Sequence, residues 1–318
     1  MRSERRLTVA VLLAGLLAGC AQPLTLAELN LTDSYYASEP DAAPLQPATL
    51  ERCWNWLDDA RLAELEDSEG LSPATKAEIA ARYSLMRARQ TQVDNARAYL
   101  AAQQDNLEIA RFREQAGLVT TRDAVQADAE RARVAATIPA LEAGIAADAS
   151  RIAVLSGQAP VALRDRLVLP GPIPNEPAEI AVGTPSDLLA RRPDLIEASK
   201  KMQTAWLKAA SPQAGYRAAV LAALEDVEDA RSTFTGSVAR ALSLSAAEQK
   251  ATELTRLTRT QYRDGQADYA ALSGAETALL DTRDALATAR AERAGAAIRL
   301  CVALGGGAPL PAAKSASK

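Results

Sequence analysis

The chain has no histidine, few aromatic residues and little sulfur. Each shortage closes off a class of chemistry. Without His there is no Ser-His or Cys-His pair to activate a nucleophile, and no imidazole for a metal. Three Met are too few for a soft-metal path. Three Trp, seven Tyr and two Phe in 318 residues are a poor stock for a compact β protein, whose layers are filled by aromatic and β-branched side chains. A basic excess is also missing. Lys and Arg number 36 against 40 Asp and Glu, a net charge of −4, which excludes a bulk electrostatic grip on nucleic acid. No nucleophile–base set, phosphate loop or metal-ligand spacing is present, so neither enzymatic activity, a cofactor nor a metal is expected. What the chain does have is apolar content of 48%, much of it Ala. That composition suits long helices packed closely through small side chains.

The N-terminus reads as an export signal. Arg2, Arg5 and Arg6 form a positive region, and Leu7 to Leu17 is an apolar stretch too short to span a bilayer with ease. It ends in Leu17-Ala18-Gly19-Cys20, small residues before a thiol, which resembles the bacterial lipobox. Residues 1–19 are read as a signal peptide and Cys20 as the lipidation site. Ala21 rather than Asp follows it, the residue type associated with outer-membrane delivery. One acyl chain anchors weakly, whereas a triacylated Cys holds. Residues 20–50 carry Pro23, Pro40, Pro44 and Pro47 with no sustained period, and read as an extended tether. Cys53 and Cys301 are expected to be two separate buried thiols, because nothing in the sequence brings them together, although an oxidising compartment would permit a disulfide.

The body is written twice. Leu155-Ser-Gly-Gln-Ala-Pro160 matches Leu304-Gly-Gly-Gly-Ala-Pro309, and upstream Phe112 to Gly117 matches Tyr262 to Gly265 with a gap of two. The stretches from Gly117 to Leu155 and from Gly265 to Leu304 differ by one residue in length. Two copies of a long unit are a tandem duplication rather than a solenoid. Each copy reads as an antiparallel helical hairpin. In the first, Ile79, Met86, Val93, Leu100 and Leu107 fall seven apart, and Val134, Ile138, Leu141, Ile145, Asp148, Ile152 and Leu155 return in steps of four and three. In the second, Val220, Leu224, Val227, Arg231, Phe234 and Val238 step by four and three, and Leu272, Leu279, Leu286, Arg293 and Leu300 fall seven apart. This is the coiled-coil period. Asp148, Arg231 and Arg293 interrupt the seams and suit a partly wet interface. Ala96, Ala110, Ala275, Ala289 and Ala296 flank the seams and allow close approach. Gly117 and Gly265 sit where a helix C-terminus needs positive φ. The repeats are assigned to 51–160 and 194–307, with a Pro-rich connector at 161–193 and a disordered tail at 308–318. Ser186 and Asp187 are candidate caps for a short helix, and Pro193 and Asp194 suit the first turn of the next.

Several motifs together resemble one family. The lipobox, Trp54 to Leu62 (WNWLDDARL), Phe112 with Ala116 to Thr120, Leu155 to Gly157, Pro185 to Leu195 (PSDLLARRPDL) and Ala303 to Gly307 (ALGGG) are similar to the outer-membrane factor lipoproteins. These are the TolC-like channels of tripartite efflux pumps, nodulation-type branch. The resemblance implies a mainly α fold of two tandem long antiparallel coiled-coil hairpins in a homotrimeric α-barrel. It also implies a passive export conduit in the outer membrane of a Gram-negative bacterium, anchored by lipid, with its body in the periplasm. The implied partners are a periplasmic adaptor and an inner-membrane transporter. The family's gate and adaptor-docking surface is at the hairpin tips, matched here by Gly117, Leu118, Val119 and Thr120, and by Gly265, Ala267, Asp268 and Tyr269. Asp123 and Asp268 near the turns would make an acidic, cation-selecting ring if repeated around an axis. As local chemistry, Thr120 or Thr121 and Asp268 are also good N-caps. The chain departs from the family at two places. Only Ala63 to Thr75 and Leu195 to Tyr216 stand where the family has two membrane strands each, and neither stretch holds the roughly 9–11 alternating residues a strand needs. The family's barrel strands are therefore missing. The alternatives are a barrel-less, lipid-anchored periplasmic helical interaction protein, or a non-functional truncated efflux protein.

Overall fold

A computed structural model describes residues 25–35, 50, 53–66, 70–175, 179–205 and 212–307. The signal peptide at 1–19, Cys20, most of the tether and the tail at 308–318 lie outside the described residues. The described residues are helical, with no strand among them. Two 3-10 turns, Ala27–Leu29 and Cys53–Leu57, precede α1 (Ala60–Glu66), α2 (Pro73–Gln115) and α3 (Thr121–Leu155). Then come α4 (Arg164–Leu167), α5 (Pro185–Arg191), α6 (Pro193–Ala205), α7 (Pro212–Arg263) and α8 (Tyr269–Ala303). The mainly α reading and its two long hairpins, α2–α3 and α7–α8, are what the chain forms. Among the described residues no helix is long and apolar enough to cross a membrane.

These residues fall into two compact units, one built from described parts of 1–44 and 183–225, the other from 45–182 and 226–318. The first unit contains the Pro185 to Leu195 motif. Thr184, extended at φ −110°, is the N-cap of α5, and its backbone N–H donates to Asp187 Oδ2 at 3.0 Å. So Thr184, not Ser186, is the cap, and Asp187 completes the box from the third helical position. The Ser186 N–H instead donates to Asp33 Oδ1, at 2.8 Å. Pro193 opens α6 as expected, and Asp194 takes two bonds from the Arg192 guanidinium, which holds its carboxyl below the usual range.

In the second unit α2 and α3 pack along the seam the sequence lays out. Ile79, Met86, Val93, Val134, Ile145 and Ile152 are buried, and Ile138, Leu141 and Leu155 lie partly buried against them. Asp148 departs from the wet-interface reading. It is only 3% exposed, paired with Arg89 and, at 3.5 Å, with Arg82. A carboxylate at a seam position is tolerated because two guanidiniums from the facing helix reach it. Helix α8 lies on α2 through small residues: Ala88 meets Ala287 and Ala291, and Gly295 faces Ala81. The Ala-rich composition therefore joins the two copies to each other as well as closing the first hairpin.

The end of the unit away from the turns is clasped. Cys53 and Cys301 form a disulfide, Cα–Cα 6.3 Å, across 248 residues of chain. This corrects the expectation of separate thiols, since the two positions are brought together only by α8 lying along α2. Around the bond, Gly307 N–H donates to Leu50 carbonyl at 3.0 Å. Gly306 packs on Cys301 and Gly307 on the Trp54 ring, with no room for a Cβ at either. The WNW and GGG motifs are thus two halves of one clasp. The connector is pinned by two polar residues within α2. Buried Arg87 donates to Leu169 carbonyl (2.6 Å) and to Tyr83 Oη (2.7 Å), and Gln90 Nε2 donates to Leu167 carbonyl (3.0 Å). Tyr83 Oη in turn donates to Asp59 Oδ2 at 2.9 Å, and burial pushes its phenol up to about 12.

Candidate functional site at the hairpin turns

Both turns end their first helix in the same way. At α2, Gly117 takes φ +72°, its N–H donates to Glu114 carbonyl (2.9 Å), and Leu118 N–H donates to Arg113 carbonyl (2.9 Å). At α7, Gly265 takes φ +76°, its N–H donates to Tyr262 carbonyl (3.1 Å), and Gln266 N–H donates to Gln261 carbonyl (2.8 Å). The long return bond to the carbonyl five residues back, over a left-handed Gly, satisfies carbonyls the helix end leaves open. The chain then runs extended into the return helix. Asp268 Oδ1 accepts from Ala271 N–H at 2.8 Å and caps α8. Thr120 occupies the same position before α3 but makes no side-chain cap bond.

The two turns lie side by side. Leu107, Ala110, Ala124 and Ala127 of the first hairpin share a small core with Tyr262, Tyr269 and Leu272 of the second. The Tyr rings meet edge to face, centroids 6.3 Å apart. Arg113 fastens the pair. Its guanidinium sits 4.5 Å from the Tyr262 ring centre and donates to Tyr262 carbonyl (2.8 Å) and Arg263 carbonyl (3.1 Å). A cation on the last carbonyls of α7 is favoured by the helix dipole as well as by the hydrogen bonds. Tyr269 donates to Gln103 Oε1 at 2.8 Å, and burial pushes its phenol up to about 12.

Above this floor is a cleft of about 390 Å³. Leu118, Val119 and Asp123 line one side, and Asp264, Gly265, Ala267 and Asp268 the other, with Tyr269 below. Of the residues the sequence singled out, Leu118, Val119, Gly265, Ala267, Asp268 and Tyr269 meet here. Gly117 and Thr120 shape the turn without lining the cleft. Tyr269 is buried, part of the support rather than of the rim. Sequence reading missed Arg113, Asp264 and Phe112 as members of this end. The signal was present, since an aromatic followed by Arg precedes each Gly. Yet the two aromatics stand at different distances from their glycines and part company: Tyr262 is 2% exposed and Phe112 is 71% exposed. The cleft therefore presents Leu118, a large apolar side chain in solvent, beside the carboxylates of Asp123, Asp264 and Asp268 and the guanidiniums of Arg113 and Arg263.

No protein-family model matches the chain. Nodulation protein T of Rhizobium leguminosarum bv. trifolii is 26% identical over 155 residues, a stretch that spans 49% of this chain and 31% of that protein. Among solved structures, the outer-membrane channel OprN aligns over 79% of this chain and 70% of its own, with 23% identity and a TM-score of 0.67. The outer membrane protein VceC from Vibrio cholerae aligns over 87% and 85%, with 18% identity and a TM-score of 0.64. CusC, whose structures concern transmembrane channel formation, aligns over 86% and 81%, with 15% identity and a TM-score of 0.61. Among its described residues the chain thus has the helical-hairpin fold of these outer-membrane proteins, and over 155 residues it is similar in sequence to nodulation protein T, of which it spans about a third.

Proposed function

We propose that this protein is the outer-membrane component of a tripartite efflux system and that it meets a periplasmic adaptor at its hairpin turns. The observation that carries the reading is the pairing of the two turns. Two Gly-terminated helices fastened by Arg113 frame one cleft with an apolar and charged rim. In this reading three copies assemble around an axis, an inner-membrane transporter supplies the energy, and export through the conduit is passive. The repeats at 51–160 and 194–307 are the two hairpin copies. Cys20 carries the lipid that holds the body on the periplasmic side of the outer membrane.

The test is crosslinking to an adaptor in cells. Gly117→Val and Gly265→Val put a β-branched residue in the left-handed region, at about 1–2 kcal/mol each, and distort the turns without touching the seams. Helicity and palmitate labelling stay near wild type while crosslinking is lost. Crosslinking at wild-type level in both variants would remove the turns as the docking surface. Palmitate retained by Cys20→Ser would remove the anchor.

A second reading is a lipid-tethered helical interaction protein without a pore. It is favoured by chain length at the two breaks. Glu66 to Pro73 and Ala205 to Pro212 leave no room for paired membrane strands of about 9–11 residues each. Planar-bilayer conductance of the purified protein separates the two readings, because only the conduit passes ions.

A further inference from the structure

Cys53 and Cys301 stand 248 residues apart in the chain, and in the folded protein both are fully buried. Cys301 lies under Gly306 and beside the Leu50 carbonyl, and Gly307 closes on the Trp54 ring next to Cys53. No oxidant reaches either sulfur once these groups have packed. The pairing is therefore decided while the chain is still open, where loop length governs which thiols meet.

In the open chain Cys53 has a nearer partner. Three cysteines admit three pairings, and Cys20 is 33 residues from Cys53. Closing that loop is favoured over the 248-residue loop by roughly twentyfold, because the chance that two chain positions meet falls as the three-halves power of the loop length. Order of arrival widens the difference. A chain made and exported from its N-terminus presents Cys20 and Cys53 together to an oxidising compartment while Cys301 is still to come. The folded protein nevertheless contains the Cys53–Cys301 bond. Cys20 must have been removed from the competition.

We propose that acylation of Cys20 is the step that removes it and that it precedes oxidation, so that the lipid directs Cys53 to Cys301 as well as anchoring the protein. The inference rests on the reading of Cys20 as the lipidation site. In acylation the Cys20 sulfur takes the diacylglyceryl group of a phospholipid: an S–C bond forms, the C–O bond to the head-group phosphate breaks, and the thiol proton leaves with the phosphate. The thioether cannot enter a disulfide. Two thiols remain, and their oxidation has one intramolecular product. Cys53 and Cys301 lose their thiol protons as the S–S bond forms, and the two protons and two electrons convert the disulfide of a periplasmic thiol oxidoreductase into a dithiol. An unacylated Cys20 takes Cys53 instead, which leaves Cys301 a free thiol and the clasp without its cross-link.

The test maps disulfides in the full-length protein exported by Gram-negative cells, with and without depletion of the enzyme that transfers diacylglycerol to thiols. Free thiols are trapped with iodoacetamide at lysis, and tryptic peptides are separated without reduction. Cys53 falls in the peptide ending at Arg61, Cys301 in the peptide following Arg299, and Cys20 in the one ending at Arg52, so each pairing has its own mass. Palmitate incorporation is measured on the same samples. In undepleted cells the wild type is expected to carry palmitate and the Cys53–Cys301 pair. In depleted cells it is expected to carry Cys20–Cys53 in at least about tenfold excess over Cys53–Cys301, with Cys301 alkylated. Cys20→Ser in depleted cells is equally unacylated and is expected to return to Cys53–Cys301, which separates the thiol from any general effect of depletion. A wild type without palmitate in undepleted cells removes the lipidation reading and the proposal with it. With palmitate present, Cys53–Cys301 formed in depleted cells as fully by the wild type as by Cys20→Ser overturns the proposal alone, as does a Cys301 left free in Cys20→Ser.

Discussion

Glycine shows how one residue type answers to two different constraints. Gly117 and Gly265 have positive φ and open space where a Cβ would stand. Gly307 also has positive φ, but a Cβ there would stand in the Trp54 ring. The first pair costs only the left-handed conformation when replaced, and the second adds a steric clash inside the clasp. Gly117→Ala is therefore expected to lower stability by about 1 kcal/mol, and Gly307→Ala by about 3 kcal/mol or more. Equilibrium unfolding in guanidinium chloride reads the difference, and equal midpoints for the two variants would contradict the close approach of Trp54. The buried charges follow another rule at this scale. Glu276, 2% exposed, accepts from Gln103 and Asn106 of α2 and from Arg259 of α7, so a buried carboxylate is met by donors from two helices.

The two hairpins are built differently although their sequences are copies. The seam of α2 and α3 is apolar along most of its length, with the Asp148 cluster as its charged exception. The contacts between α7 and α8 are largely polar: Arg240 with Glu292, Glu248 with Arg283 at 2.9 Å, Thr255 Oγ1 on Ala275 carbonyl at 3.0 Å, and Arg259 with Glu276 at 2.6 Å. Cavities open beside these rungs, whereas Leu and Ile close the first seam. The second hairpin should thus respond to pH. Glu248, and Glu130 on α3, have carboxyls held below their usual value, Glu248 by the Arg283 bond and Glu130 by the Arg133 bond. A depressed carboxyl contributes stability that is present above the unfolded value, near 4.3, and lost as pH falls through the folded one. Asp284 works the other way. Burial raises its pKa, so its contribution is present at low pH and is lost as pH rises through the folded value. With no His, nothing of that type titrates between pH 5 and 8. The melting temperature should be flat from pH 8 to about 5 and fall below about 4.5. Arg283→Gln is expected to be less stable by up to about 1 kcal/mol at pH 7. That difference should vanish near pH 3, and a difference that persisted there would assign the effect of Arg283 to packing.

At the level of the whole molecule, the disulfide is the covalent contact between distant parts of the chain. It ties the segment before α1 to the last turn of α8, so the two copies are covalently closed at the end opposite the turns. Both sulfurs are fully buried under Gly306 and the Leu50 carbonyl. Removing the cross-link frees a loop of 248 residues in the unfolded chain. Cys53→Ala with Cys301→Ala is expected to lower the unfolding free energy by about 2–4 kcal/mol. Non-reducing and reducing electrophoresis of the wild type should differ in mobility, and an unchanged midpoint in the double variant would mean that packing of Trp54 and the glycines suffices.

The amino-acid sequence by itself determined the helices, their turns and their pairing into two hairpins. Period and punctuation are local properties: heptads mark the seams, and Gly117 and Gly265 mark the places where a right-handed helix cannot continue. The duplication and the motif resemblance to outer-membrane factors were legible for the same reason. What the tertiary structure decided depends on residues far apart in the chain. The partnership of Cys53 with Cys301 and the pinning of the connector by Arg87 and Gln90 need α8 or the connector to lie along α2, and the burial of Asp148 needs Arg82 and Arg89 to reach across from α2. The cleft between the turns exists because Arg113 of one copy reaches the last carbonyls of the other, and no spacing within either copy encodes that reach. The aromatics before the two turns also part, Tyr262 inside and Phe112 outside, because they stand three and five residues before their glycines and so face different neighbours once the hairpins pack.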